Sequence, residues 1–227
     1  MRYYILLITA LFIFSCGKGK TVLLPEISHS EISEINDVSA AYLFYDETQK
    51  DSIELNRKNL ISTTNWLINV DKRLTLKQAI PHIKFLQEKK KNTGHKNEKS
   101  KNYFTCNDIS KKNLGFIEFT NIKYHDEDAG AYFSEISDIP KNVRFSITFS
   151  DEIEIIGFMK SLINKISSKD TLINDLKNLF STEEQEFELI LNFNESLSFQ
   201  NYITFKSLLS NLDLKNIIIA KDEFIFN

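Results

Sequence analysis

The chain is poor in the residues that usually mark chemistry. Its 227 residues include two cysteines, four histidines, six glycines, three prolines and one tryptophan. No phosphate-cradling P-loop occurs, and no GxSxG, HExxH or CxxC pattern is present. A structural zinc needs about four nitrogen or sulfur ligands, which would nearly exhaust this set. Positive charge is not in excess. Lys and Arg number 28 against 31 Asp and Glu, for a net charge of -3, so a nucleic-acid face has no electrostatic support. The apolar run Ile5 to Phe14 is short of the roughly 20 residues of an ordinary membrane span. Hydrophobic residues at 42% and charged residues at 26% are ordinary globular values, sufficient for a core. Asn, Lys, Ile and Phe are plentiful, a bias of AT-rich bacterial genomes that carries no function.

The N-terminus is the most informative stretch. Met1-Arg2-Tyr3-Tyr4 leads into the apolar run, which ends in Ser15-Cys16-Gly17. An early positive charge, a short apolar segment and a small residue before the cut form a secretory signal peptide. Ile13-Phe14-Ser15-Cys16 resembles the lipobox of bacterial lipoproteins. That resemblance implies a diacylglycerol thioether on Cys16, cleavage before it, and acylation of the new amino group. The lipid makes the membrane a partner and the cell envelope the address. The lysines after Cys16 lack the acidic surface-export signal of some Bacteroidota lipoproteins, which points to the periplasmic side. With Cys16 lipidated, Cys106 has no internal disulfide partner and the fold relies on its core. The rival reading is a Cys16–Cys106 bridge in a conventional secreted protein.

The pattern predicts four segments: a signal peptide over 1–15, a tether over 16–40, and two related α+β units over 41–130 and 131–227. Ala41–Tyr45 reads as a strand with Ser52–Leu55 as its hairpin partner. Trp66–Val70 runs through Asp71-Lys72-Arg73 into a helix carrying Leu76, Ile80, Ile83 and Phe85-Leu86. Leu189–Phe193 runs through Asn194-Glu195-Ser196 into a helix carrying Phe199, Ile203, Leu208 and Leu209. Thr75 with Gln78 forms a capping-box pattern, and Ser198 is the matching hydroxyl. Lys101-Asn102 and Lys215-Asn216 open the strands that follow, at Tyr103 and Ile217. The expected fold is therefore α+β, two strand–helix–strand units with added hairpin strands and helices on one sheet face. A looser third copy starts at Phe145–Phe149 and continues as a helix carrying Ile155, Phe158-Met159, Leu162 and Ile166. Leu114–Phe119 and Asn121–Tyr124 read as strands, Thr171–Phe180 as a short helix, and Ala129–Lys141 as a boundary.

The strand–turn–helix–strand pattern resembles the periplasmic domain of the ExbD/TolR group, accessory subunits of ion-driven inner-membrane motors. The resemblance lies in Leu67-Ile68-Asn69-Val70-Asp71, in Leu74-Thr75-Leu76 and in Ile80-Pro81. It implies the fold and a habit of binding envelope partners. Motor activity does not carry over, because the group keeps a membrane helix with an aspartate and Ile5 to Phe14 has no acidic residue.

Candidate chemistry is sparse. His125-Asp126-Glu127-Asp128 is the densest cluster of metal-capable groups, but neighbours in sequence rarely converge on one ion, and an exposed polar turn is the expectation. His82 reads as a helix surface position, His95 as part of the basic loop Lys89–Lys101, and His29 as part of the tether. Cys106 reads as a buried, inert thiol. No catalytic residue, metal ligand or cofactor is assigned. The reading is a non-enzymatic binding or scaffolding protein with a possible envelope partner and no nucleic acid. The alternatives are an envelope hydrolase or transferase, with His125 and the nearby carboxylates as nominees, and a small-ligand receptor.

Overall fold

A computed structural model describes residues 19–94, 97–130 and 144–227. Cys16, His95 and the Pro140 end of the expected boundary lie outside the described residues. The fold is α+β, with two sheets of six strands and three helices among those residues. None of these helices is long and apolar enough to cross a membrane.

The first sheet holds β1 (Glu26–Ile27), β2 (Val38–Tyr45), β3 (Ile53–Asn56), β4 (Asn65–Val70), β5 (Asn102–Asp108) and β6 (Asn113–Glu118). β2, β4 and β5 run parallel, and β3 and β6 close the two sides antiparallel. The second sheet runs in the order β10 (Leu162–Ser167), β9 (Ile153–Phe158), β8 (Arg144–Phe149), β11 (Phe187–Asn194), β12 (Ile217–Phe226), β7 (Lys123–His125). Here β8, β11 and β12 are parallel and β9 is antiparallel to β8. Hairpin, strand, helix and strand thus recur in one topology. Helix α1 (Leu76–Lys91) links β4 to β5, and α3 (Phe199–Ser210) links β11 to β12. Helix α2 (Leu172–Phe180) buries Leu172, Leu176 and Phe180, the last edge-on to Phe145 of β8.

The two copies meet at their caps. Thr75 closes a capping box with Gln78, and the Ser198 hydroxyl accepts from Asn201 N. Thr75 and Ser198 also bridge each other. Leu76 N donates to Leu197 O at 2.9 Å, and Phe199 N donates to Leu74 O at 2.7 Å. Counted from the caps, Leu76 matches Phe199 and Leu74 matches Leu197, so the two bonds are related by a local pseudo-two-fold. First-turn N–H groups that lack helical partners are satisfied by the other repeat.

Strand alternation turns Trp66, Ile68 and Val70 inward in the first sheet, and Leu189, Leu191 and Phe193 in the second. Helix α3 lies between them. Phe199 and Tyr202 pack edge-on to Phe104 of β5, Tyr202 meets Phe193 of β11, and Phe205 stacks on Phe149 of β8. One core cluster therefore spans both sheets and all three helices. β7 lies within 41–130 yet pairs with β12, so the two expected units share a sheet as well as a core.

Three expectations change. The third copy does not continue as a helix; Phe145–Phe149 is β8, and β9 and β10 follow it as antiparallel strands. The residues grouped on one helical face separate. Ile155 is fully buried, while Phe158 of β9 and Leu162 and Ile166 of β10 are exposed. Gly157 sits against the Phe145 ring, where a Cβ would approach to 2.3 Å, a backbone contact that suits a strand. Phe85 also leaves its expected stripe, being 42% exposed under the Arg57 guanidinium. Within the stretch expected as a tether, Glu26–Ile27 pair with β5 and Ile27 is buried. Gln200 further clamps Glu26 through both its backbone groups.

Candidate functional site

The most telling feature is where the two repeats differ. Counted from the caps, Ala79 of α1 matches Tyr202 of α3, and Ile83 matches Lys206. On the strands, Ile68 faces Phe104, whereas its counterpart Leu191 faces Glu223. Three apolar positions in the first copy are thus Tyr, Lys and Glu in the second. They join in one buried group. Lys206 Nζ donates to Glu223 Oε1, and the Tyr202 hydroxyl donates to Glu223 Oε2 at 2.8 Å. Tyr124 of β7 completes it, hydroxyl to hydroxyl with Tyr202 at 3.1 Å. Glu223 is fully buried, and the Lys206 side chain is 13% exposed. Burial, and then the Glu223 charge, hold both tyrosine hydroxyls well above their usual titration range.

A bulge in β12 makes this arrangement. Leu189 pairs with Ile219 but Leu191 pairs with Glu223, so extra residues of β12 stand opposite β11. The expected equivalence of Tyr103 with Ile217 fails because β12 starts earlier: Trp66 pairs with Asn102, and its counterpart Leu189 pairs with Ile219. Bulges re-aim side chains, and this one places Lys221 at the surface, Asp222 against His125 and Glu223 against α3. His125 Nε2 lies 2.7 Å from Asp222 Oδ1, and the imidazole stacks on Phe224.

Two clefts flank the group. The larger, of about 730 Å3, is bordered by the end of α1 and the Thr120–Tyr124 segment. It carries Lys84, Lys90, Lys91, Lys123 and Lys221 against Glu88 and Glu98. Lys84 pairs with Asp126. Among the described residues Lys91, Lys123 and Lys221 form no ion pair. Lys90 is buried, donates to Lys101 O at 2.8 Å and Asn102 Oδ1 at 3.0 Å, and lies over the Trp66 ring. Burial pulls its ammonium down to about 8. The smaller cleft, of about 300 Å3, lies among β6, α3 and β12 and includes Lys206. Ile122 and Lys221 border both clefts.

The sequence-nominated residues are dispersed. His125 ends β7, Asp126 is paired with Lys84, and Asp128 caps the Gly130 N–H at 2.7 Å. Among the described residues no three His, Cys, Asp or Glu side chains are placed to hold a metal. Burial lowers the titration range of half-buried His82. Cys106 is buried, and desolvation pushes its thiol up to about 12, far from a reactive thiolate. Sequence reading missed Tyr124, Tyr202, Lys206 and Glu223. The signal for two of them was available: aligning the helices at their caps sets Lys206 opposite the core residue Ile83 and Tyr202 opposite the core residue Ala79.

No family model matches this chain, and no curated protein or solved structure matches it.

Proposed function

We propose that this chain is a lipid-anchored cell-envelope protein, facing the periplasm, with a non-enzymatic binding role, and that its larger cleft receives an anionic envelope component. One observation carries the reading: a concave groove with three lysines that form no ion pair among the described residues, on a chain of net charge -3. Asn121, Ser62 and the lysines suit a hydroxyl-rich anion such as an acidic glycan. The recessed shape suits a chain laid into the groove better than a flat bilayer. Titration with polygalacturonate tests it. Binding should weaken as salt screens the lysines, and Lys91→Gln/Lys123→Gln should lower affinity by about tenfold, or about 1.4 kcal/mol. Salt-independent binding, or no effect of the double variant, would sink the glycan reading.

The anchor is tested separately. Cys16→Ala should release the protein from membranes or leave the signal uncut, as membrane fractionation would show. Mass spectrometry finding an unmodified mature N-terminus elsewhere would end the lipoprotein reading.

A protein partner is a second reading, favoured by the second sheet's edge. Among the described residues β10 has a neighbour on one side only, and Leu162 and Ile166 are exposed beside Phe158. An open apolar edge can accept another strand.

A further inference from the structure

The smaller cleft is built differently from the lysine groove. Ile32, Phe116, Leu209 and Ile219 give it a largely apolar wall. Its volume of about 300 Å3 falls within the range of small-molecule sites. Lys206 is the polar residue that needs explaining. An ammonium carries three N–H donors. One goes to Glu223, and among the described residues no other acceptor meets it. Two donors of a largely buried ammonium are thus open to whatever fills the cleft, solvent or a ligand.

The fold itself does not require the pair. The first repeat builds the same helix and strand with Ile83 and Phe104, both in the core. Buried ion pairs are commonly no more stabilising than apolar side chains in their place. The second repeat carries the pair together with a bulged strand and a cleft at its border.

We propose that this cleft binds a small molecule with an apolar body and one carbonyl-type acceptor, received by the free N–H groups of Lys206. Glu223 already neutralises the ammonium, so hydrogen-bond acceptance rather than negative charge selects the head group. Tyr202 holds the second carboxylate oxygen of Glu223 and keeps the pair in place. This site shares only Ile122 and Lys221 with the border of the lysine groove.

The test is titration of the purified protein with prodan, a naphthyl ketone whose emission reports both the polarity around it and hydrogen bonding to its carbonyl. The expected result is saturable binding of one molecule per chain. Lys206→Met/Glu223→Met, which removes donor and acceptor together, should weaken binding by about tenfold and shift the bound emission to the blue. Ser210→Trp, at an exposed position bordering the cleft, should weaken it similarly without changing the unfolding transition. Absence of saturable binding to the wild-type chain, or wild-type affinity in either variant, overturns the proposal.

Discussion

Lys206→Met should cost about 3–5 kcal/mol of folding stability, and Lys206→Met/Glu223→Met should recover most of that loss. The reason lies in what each change leaves behind. Removing the ammonium alone strands a fully buried carboxylate with only the Tyr202 hydroxyl as partner. Removing both charges leaves two flexible apolar side chains where the first repeat has Ile83 and Phe104. Urea unfolding of the wild-type chain, both single variants and the double variant gives the coupling directly. If the single variant is as stable as the wild type, Glu223 is not buried as described. If the double variant is as unstable as the single one, the cost lies in packing and not in the unpaired charge.

The second large effect is expected at the pseudo-two-fold. Phe199→Ala should cost about 3–5 kcal/mol, and Leu76→Ala about 2–5 kcal/mol. Both side chains are fully buried, and each occupies the first helical position after its cap. Phe199 meets Phe104 and Tyr202, so its loss opens space between the sheets rather than within one repeat. Thermal unfolding should therefore remain a single transition, shifted downward, because the core is continuous. Two separated transitions would instead mean that the repeats fold independently.

Much of the organisation could be read from residue patterns. Alternation in Trp66–Val70 and Leu189–Phe193, the hydroxyl caps Thr75 and Ser198, and the shared helix spacing specified two strand–helix–strand units. These are local signals: side-chain period and cap chemistry act within a few residues. The burial of Cys106 was similarly readable from its place among Tyr103, Phe104 and Thr105. The segment after Phe149 was misread for a physical reason. Ile155, Phe158, Leu162 and Ile166 fall at helical spacing, but strand alternation turns the first to the core and leaves the others at exposed positions.

By itself the sequence determined the α+β class, the duplication and the N-terminal pattern resembling a lipobox at Cys16. Only the tertiary structure decided where the two copies part and which side chains meet there. Strand register depends on partners far along the chain, and a bulge in β12 moves Glu223 opposite Leu191 without altering the apolar pattern of either strand. Helix α3 then buries Lys206 and Tyr202 against that carboxylate, contacts that no local rule anticipates. The grouping of lysines has the same origin. Lys91, Lys123 and Lys221 are unremarkable singly and far apart in sequence, and packing the end of α1 beside β7 and β12 gathers them around one groove.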